Sequence, residues 1–407
     1  MSTEESGARE PIHVVGIGAD GWEGLSPVAR RTIESAEVVM GGARQLDLIP
    51  ETSAERVSWP SPLLPALGEL LDKHAGRSIC VLASGDPMFH GIGATLARMV
   101  GPERLHVVAH PSSVTLACSR LGWPAHEVRV VNLVGRPVEN LLPELARNNR
   151  IMVLSSDGDT PAEVGALLSE HGFGDSELVV LENLGGRGER IHRELAARLR
   201  ERTGPLNIVA IDRADSPAPT EVAVAPGLPD ELYEHDGQLT KRDVRASTLA
   251  RLAPRPGELL WDVGAGSGSV AIEWTRTSGG TAIAVEHDPR RAERVTRNAA
   301  ALGAGGIRVV RESAPEGLRG LETPDAVFVG GAVSVPGVLE TCVDALPRGG
   351  RLVVNAVTME SESTVTEWYS RLGGELTRIG VERAGAVGGF TAWRPALRVT
   401  QWAVTKQ

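Results

Sequence analysis

Short apolar, β-branched segments alternate with helical patterns along this chain, and the alternation occurs twice. The first series of predicted strands lies at 12–16, 78–83, 105–109, 127–133, 151–155, 177–181 and 206–211. The second series lies at 259–263, 281–286, 307–310, 326–329 and 351–355. Strands that alternate with helices need crossover connections, which favour largely parallel sheets that bind ligands at the carboxyl ends of their strands. The chain is therefore predicted to be an α/β protein.

A proline-rich segment separates the two series. Between residues 212 and 237, Pro217, Pro219, Pro226 and Pro229 are interspersed with Ala, Ser, Asp and Glu, a composition typical of an extended connector. The 407 residues also exceed what one hydrophobic core usually organises. We predict two domains, at residues 11–212 and 238–407, joined by a linker at 213–237.

The composition narrows the class of protein. Lys and Arg total 42 against 52 Asp and Glu, so the net charge of −10 argues against nucleic acid as a partner. The only cysteines, Cys80, Cys118 and Cys342, form no CxxC pair and are expected in the core. The ten histidines form no HxxxH or HxH pattern, so no bound metal is expected. Without a signal-like N-terminus or an apolar window of ~18 residues, we expect a cytoplasmic protein with no membrane partner.

A glycine turn follows the first predicted strand of the second series. It comprises Gly264, Ala265, Gly266, Ser267 and Gly268 in a DxGxGxG pattern. Glycines let the backbone approach a ligand closely, and the following helix presents unpaired N–H groups. Glu286 ends the next strand, where a carboxylate can accept ribose hydroxyls. Ser269 stands where a dinucleotide fingerprint needs glycine or alanine, so the pattern favours S-adenosylmethionine over a pyrophosphate cofactor. A tight corner without a ligand is the alternative.

Two glycine-rich segments also follow strands in the first half. The first contains Gly16 and Gly18. The second, at 83–93, supplies the candidate cofactor residues Gly85, Asp86, Pro87, Gly91, Ile92 and Gly93. Small residues and a proline make a rigid, closely approachable backbone at the carboxyl end of a strand. A plain turn is the alternative for Gly16 and Gly18.

Residues 239–402 resemble the S-adenosylmethionine-dependent corrin-precursor methyltransferases that methylate carbon 15 and decarboxylate an acetate side chain. The matching segments are residues 238–245, the glycine turn, 284–288, 329–331 and 355–358. The resemblance implies that Thr240, the glycine turn, Glu286 and Ala314 surround the methyl donor. An N-cap is the alternative role for Thr240, and a solvated strand end is the alternative for Glu286.

Residues 11–212 resemble the tetrapyrrole methylases, most closely the branch that methylates carbon 5 of a corrin precursor. The matching segments are 83–93, 111–114, 133–137, 155–161 and 182–186. Ala19 and Asp20 stand where the wider family has proline and glycine. In this order the two halves resemble the fused precorrin-6Y methyltransferases of cobalamin biosynthesis. The resemblance implies a tetrapyrrole methylase fold of two α/β subdomains, a Rossmann-like class I methyltransferase domain, a small tetrapyrrole substrate and a homo-oligomer.

Further residues are candidates for substrate or donor contacts. Lys241, Arg242, Arg245 and Arg136 are candidate anchors for substrate carboxylates, because guanidinium groups pair bidentately with carboxylates. Ordinary charged surface is their alternative. Ser113 is a candidate donor contact or a helix N-cap. His287 and Asn355 are candidate proton handlers, with a surface position and a strand-end turn as alternatives.

Two other functions compete with a bifunctional small-molecule methyltransferase. The second half can be read as an RNA or protein methyltransferase for which the first half provides recognition. The 3% aromatic content and the acidic balance argue against RNA. The glycine turns also fit a regulatory module that binds a nicotinamide cofactor, and binding of NAD without a response to S-adenosylhomocysteine would favour that module.

Overall fold

The computed structural model describes residues 11–213, 223 and 225–407. The described chain divides into two compact units. The first contains 11–134, 148–169 and 174–213, and the second contains 135–147, 170–173, 223 and 225–407. The polar residues at 1–10 and the connector residues 214–222 and 224 lie outside the described part.

The first unit begins with a five-stranded parallel sheet. Its strands are β1 (Ile12–Ile17), β2 (Val38–Gly41), β3 (Glu55–Ser58), β4 (Ile79–Ser84) and β5 (Leu105–Val108), in the order β3-β2-β4-β1-β5. The helices of this half are α1 (Gly21–Gly24), α2 (Pro27–Glu34), α3 (Ala43–Asp47), α4 (Leu63–Lys73) and α5 (Ile92–Val100). Buried aliphatic side chains cover both faces of the central strands, as a doubly covered parallel sheet requires.

A second sheet completes the first unit, and it is mixed. Its strands are β6 (Arg129–Asn132), β7 (Arg150–Leu154), β8 (Glu177–Glu182), β9 (Arg190–Leu195) and β10 (Asn207–Asp212), in the order β6-β7-β10-β8-β9. Only β6 and β7 pair in parallel among these strands. The prediction of a largely parallel sheet is wrong here, because β8, β9 and β10 follow one another without intervening α-helices. The helices in this part of the chain are α6 (Ser113–Leu121), α7 (Leu142–Leu145) and α8 (Thr160–Glu170), of which α7 lies in the stretch 135–147 that belongs to the second unit.

The second unit contains a seven-stranded sheet. Its strands are β11 (Leu259–Val263), β12 (Thr281–Val285), β13 (Ile307–Val310), β14 (Ala326–Val329), β15 (Arg351–Ala356), β16 (Glu375–Ile379) and β19 (Val399–Thr405), in the order β13-β12-β11-β14-β15-β19-β16. The five predicted strands are parallel, and β19 pairs antiparallel with β15 and β16. The strand order reverses between β11 and β14, which is where doubly wound sheets bind ligands.

The helices of the second unit are α9 (Arg242–Leu252), α10 (Ser269–Ser278), α11 (Pro289–Ala301), α12 (Val338–Ala345) and α13 (Met359–Leu372). They pack on the sheet over two buried clusters that contain Trp261, Trp274 and Trp402. A separate hairpin of β17 (Glu382–Val387) and β18 (Phe390–Pro395) has almost entirely exposed side chains.

The described end of the predicted connector is not extended. Leu228 and Tyr233 are buried, and the backbone N–H groups of Gly227 and Leu228 donate to the Glu273 carboxylate at 2.6 and 3.0 Å. These contacts place residues 225–237 in the second unit. Proline content alone therefore misassigned this segment.

The three cysteines are free and buried, as predicted. Burial raises the pKa of the Cys80 and Cys342 thiols to about 12, so neither is a nucleophile near neutral pH. None of the helices in the described ranges is long and apolar enough to cross a membrane.

Candidate functional sites

The first unit contains a cleft at the carboxyl ends of its parallel strands. The cleft has a cavity volume of about 130 Å³, and residues from both sheets line it. The first sheet contributes polar and small residues, whereas the second contributes mainly leucines together with Asn183 and Asn207. The predicted donor residues on the cleft wall are Gly18, Gly85, Asp86 and Ser113.

Gly16 and Gly18 hold the floor of this cleft together. A Cβ on Gly16 would lie 2.1 Å from the Gly85 carbonyl oxygen, so the turns after β1 and β4 touch through bare backbone. A Cβ on Gly18 would lie 2.6 Å from Asp20 Oδ1 and 2.7 Å from His110 Nε2. Those two side chains face each other at 3.2 Å. Close packing therefore requires glycine at both positions.

The loop at 85–93 folds back on itself. Asp86 Oδ1 accepts a hydrogen bond from the Met88 N–H at 2.8 Å. A Cβ on Gly91 or Gly93 would lie 2.6 or 2.7 Å from the Pro87 carbonyl oxygen. Pro87, Gly91, Ile92 and Gly93 are not among the residues that line the cleft, and Gly91 and Gly93 pack against the Pro87 backbone.

The start of α6 shows which serine caps the helix. Ser112 is the N-cap, and its hydroxyl accepts from the Thr115 N–H at 3.1 Å. Ser113 begins the helix and lies on the cleft wall, so its hydroxyl is not used in capping. This leaves Ser113 as the candidate for a side-chain contact to a ligand.

Sequence reasoning missed two polar residues of the cleft, Arg44 and Asn207. Arg44 follows β2, a four-residue strand that was not predicted, so nothing placed it at a strand end. Asn207 begins β10, and its amide donates to the carbonyl oxygens of Asp157 and Gly204 at 2.9 and 2.8 Å. The available signal for Arg44 was an isolated basic residue three positions after the short apolar run at 38–41.

The second candidate site lies at the reversal of strand order in the second unit. Gly264, Gly266 and Gly268 all have positive φ, at 72°, 60° and 77°. A Cβ on Gly264 would lie 2.8 Å from Gly331 Cα, so the turns after β11 and β14 touch. Over Gly266, in contrast, the nearest atom to a Cβ is the Gln238 carbonyl oxygen at 3.6 Å. The turn is therefore tightly packed at its ends and open at its centre. Ala265 is partly buried, whereas Ser267 is buried.

Glu286 lies beside the open centre of this turn. Its Oε2 accepts from the Gly266 N–H at 2.8 Å, and its Oε1 accepts from the Asp288 N–H at 3.0 Å. The residue is only 3% exposed, so it is not the solvated strand end considered above. A carboxylate fixed by two backbone donors beside an open glycine suits the diol of a nucleoside, so these residues fit S-adenosylmethionine.

A second carboxyl group lies beneath the turn. Asp262 is completely buried, and its Oδ2 accepts from the Ala271 N–H at 3.0 Å. Desolvation, with a contribution from the Glu286 charge, raises the pKa of Asp262 to about 7. Near neutral pH this carboxyl group is therefore divided between its protonated and ionised forms.

The remaining predicted neighbours of the second site lie on different elements. Thr240 is partly buried, and Lys241, rather than Thr240, is the N-cap of α9. Ala314 packs against the buried cluster on one face of the sheet. His287 is exposed, and its Nδ1 lies 3.2 Å from Glu286 Oε1, which matches a surface position next to the strand end.

The four candidate anchors for substrate carboxylates separate into one buried residue and three accessible ones. Arg245 is fully buried, with its Nε 2.5 Å from Glu273 Oε1 and its Nη1 3.2 Å from Asp230 Oδ1. It is a core residue, and its prediction as a substrate anchor is wrong. Lys241 is partly exposed 4.0 Å from Asp230, and Arg242 and Arg136 are exposed. Only these three remain accessible to a substrate.

Asn355 belongs to a buried polar cluster. Its amide donates to Thr248 Oγ1 at 3.0 Å, and its Oδ1 accepts from Gln401 Nε2 at 2.9 Å. With both ends of the amide bonded, Asn355 stabilises the junction of α9, β15 and β19. Its prediction as a proton handler has no support in this geometry.

Two family models match the chain, one for each half. Residues 11–200 match the tetrapyrrole (corrin/porphyrin) methylases, and residues 231–406 match the precorrin methyltransferase domain. A precorrin-6Y C(5,15)-methyltransferase [decarboxylating] from Sinorhizobium sp. is 47% identical over 97% of this chain and 96% of its own length. The chain belongs to the precorrin-6Y C(5,15)-methyltransferase family.

A second relative agrees with this family membership. The protein of the same name from Mycobacterium tuberculosis is 47% identical over 97% of this chain and all of its own length. The crystal structure of the C-terminal domain of precorrin-6Y C5,15-methyltransferase from Rhodobacter capsulatus has 40% identity and a TM-score of 0.43, covering 45% of this chain and 100% of that domain. Family membership confirms the predicted α/β fold class and makes the chain a methyltransferase that uses S-adenosylmethionine.

Proposed function

We propose that this chain methylates carbons 5 and 15 of precorrin-6Y or 6B and decarboxylates the ring C acetate to give precorrin-8, in cobalamin biosynthesis. The observation that carries this proposal is the coexistence of two glycine-built sites in one chain of this family, one in each unit. The first unit is assigned to carbon 5 and the second to carbon 15 with decarboxylation. The domains at 11–212 and 238–407 and the linker at 213–237 are proposed with it, and the described part of that linker packs on the second domain through Gly227 and Leu228.

In the second site, the Glu286 carboxylate would accept the ribose hydroxyls, since the Gly266 and Asp288 N–H groups already fix its orientation. The turn at 264–268 would contact the ligand through its backbone, with Thr240 and Ala314 beside it. In the first site, Gly18, Gly85 and Asp86 would hold the donor with Ser113. Gly16, Pro87, Gly91, Ile92 and Gly93 are proposed as further residues of the same donor site, and their close packing would keep its wall in place.

When bound, S-adenosylmethionine supplies an electrophilic methyl group. The chain's own contribution is orientation, because fixed geometry alone can lower a barrier by about 7–11 kcal/mol. A meso carbon of a partly reduced tetrapyrrole is enamine-like, so neither unit needs a nucleophilic side chain. For loss of the acetate carboxyl group, the protonated macrocycle can accept the electron pair that the departing CO₂ leaves behind.

The proposed partner is a small acidic tetrapyrrole. Nucleic acid is not proposed as a partner, because the net charge of −10 disfavours binding of a long polyanion. The exposed Lys241 and Arg242 are the proposed anchors for its carboxylates in the second domain, and the exposed Arg136 is the proposed anchor in the first domain at 11–212. A homo-oligomer is also proposed. The β17–β18 hairpin supports it by leaving Phe390 84% and Trp393 70% exposed, an apolar surface that a second copy would cover. Light scattering of Phe390→Ser/Trp393→Ser chains tests this, and an unchanged mass would contradict the hairpin contact.

Labelled product analysis tests the enzymatic proposal. The whole chain is incubated with ¹³C-methyl donor and precorrin-6B, and NMR locates the new methyl groups. Label at carbons 5 and 15 with loss of one carboxyl group is expected. Label at one carbon only, or labelled total RNA with no labelled tetrapyrrole, would contradict the proposal.

A further inference from the structure

Arg44 is a basic residue on the cleft wall that the donor-binding roles above do not use. It lies in the first turn after β2, and its Nη2 donates to Ser84 Oγ at 3.0 Å. Gln45 Nε2 donates to the same hydroxyl at 2.6 Å. Because both neighbours donate to Ser84, the hydroxyl proton of Ser84 remains available for an acceptor in the cleft.

The guanidinium of Arg44 has no carboxylate partner among the described residues. Other arginines of the first unit are paired, such as Arg77 with Glu55 and Arg120 with Glu189. Partial desolvation also lowers the pKa of Arg44, although a guanidinium remains charged at any ordinary pH. The planar guanidinium group is charged and has unused N–H groups in a partly desolvated cleft, so it is suited to bind an anionic ligand.

The position of Arg44 separates it from the glycine backbone at the centre of the sheet. β4 lies between β2 and β1, so neighbouring strand spacings put β2 about 10 Å from the turn at Gly16 and Gly18. Arg44 is the only cation among the described lining residues, and Asp86, on the intervening β4 turn, is the only anion. The zwitterionic tail of a methyl donor carries an ammonium group beside its carboxylate, and Asp86 matches that ammonium. The carboxylates of a tetrapyrrole, in contrast, have no ammonium group beside them in the same molecule.

We propose that Arg44, together with the Ser84 hydroxyl, binds a peripheral carboxylate of the tetrapyrrole in the first unit and thereby positions the macrocycle for methylation. Gln45 holds the Ser84 hydroxyl in place. This inference rests on the proposed function of the first unit. The chemistry that it recognises is a carboxylate, which the tetrapyrrole or the tail of the donor could supply.

Steady-state kinetics of the full chain distinguish the two sources. Arg44→Gln is expected to raise the KM for the tetrapyrrole in carbon 5 methylation about tenfold to a hundredfold, the usual effect of losing a charge-assisted hydrogen bond. Arg44→Lys should recover part of that loss, because it keeps the charge without the fork. Methylation at carbon 15 is an internal control and should change less than twofold. Arg31→Gln, an exposed arginine of α2 away from the cleft wall, is the matched control.

The other outcomes overturn either this inference about Arg44 or the proposed function of the first unit. An unchanged tetrapyrrole KM in Arg44→Gln overturns the inference. A raised KM for S-adenosylmethionine with an unchanged tetrapyrrole KM also overturns it, since the carboxylate then belongs to the donor. If Arg44→Gln does not fold, the comparison of wild type with Arg44→Lys decides, and equal tetrapyrrole KM values reject the inference. Absence of carbon 5 methylation in the wild-type chain contradicts the proposed function instead.

Discussion

Arg245 occupies the centre of a buried charge cluster in the second unit. Its guanidinium bonds to Glu273, to Asp230 and to the carbonyl oxygens of Thr240 and Leu228. It also lies over the Tyr233 ring, 4.7 Å from the ring centroid. The Glu273 carboxylate additionally accepts from Gly227, Leu228 and Tyr233. The cluster thus ties residues 225–233 to α9 and α10.

Arg245→Met is expected to lower the free energy of unfolding of the second unit by about 3–5 kcal/mol, because the buried Glu273 charge would lose its partner. Urea denaturation measures this loss. Arg255→Met removes an exposed arginine 3.9 Å from Glu258 and should change stability by less than about 1 kcal/mol. Equal effects of the two substitutions would contradict the role assigned to Arg245.

Asp262 is expected to make stability depend on pH. Its pKa is raised in the folded chain to about 7 from 3.8, so the folded state holds the proton more tightly than the unfolded state. The contribution of Asp262 to the free energy of unfolding is therefore greatest below pH 3.8. This contribution is lost as the pH rises to about 7, by at most about 1.4 kcal/mol per pH unit. Asp262→Asn stays neutral and should remove this slope. Denaturant titrations of both chains from pH 5 to 8 measure the difference, and parallel curves would contradict the raised pKa.

The glycine turn after β11 depends on its packing against the turn after β14. Gly264→Ala would strain a residue at φ 72° and place its Cβ against the Gly331 backbone. We expect at least a tenfold loss of S-adenosylhomocysteine affinity at the second site. Gly257→Ala is the matched control, because φ is 81° and no atom lies within 4 Å of its Cβ. It should cost about 1–2 kcal/mol of stability and leave affinity unchanged. Calorimetric titration that shows equal affinity in both variants would reject the packing argument.

At the level of elements, the sequence predicts the longer buried strands and misses strands that are exposed or short. Strands such as β4 and β11 are continuous apolar runs and were predicted within one or two residues of their bounds. The exposed strand β9 and the hairpin of β17 and β18 carry no period-2 burial signal, since nearly all their side chains face solvent. The short strand β2 was also missed, and with it the placement of Arg44.

In the candidate sites, the sequence predicts the backbone turns better than it predicts the roles of single side chains. Glycines in sequence indicate turns directly. The segments at Gly16 and Gly264 were therefore predicted as turns whose backbone a ligand can approach closely. Whether a polar residue is free depends on partners distant in sequence, which the sequence does not reveal. Arg245 is 28 positions from Glu273, and Asn355 is 46 positions from Gln401. The sequence therefore suggested a substrate anchor for Arg245 and a proton handler for Asn355, although both residues are structural.

At the scale of the whole molecule, two α/β units of one chain each place glycine turns at the carboxyl ends of parallel strands. The turns use different strand orders and different polar neighbours, with Asp86 in one and Glu286 in the other. The two proposed donor sites in one chain are consistent with an enzyme that adds two methyl groups to the same macrocycle.

The most direct measurement is the stoichiometry of S-adenosylhomocysteine binding to the full chain by calorimetry. The account predicts two equivalents for the wild type. It predicts one for Gly264→Ala, which retains the first site, and one for Gly16→Ala, whose Cβ would collide with the Gly85 carbonyl oxygen. A wild-type stoichiometry of one, abolished by only one of the two substitutions, would contradict the claim of a donor site in each unit.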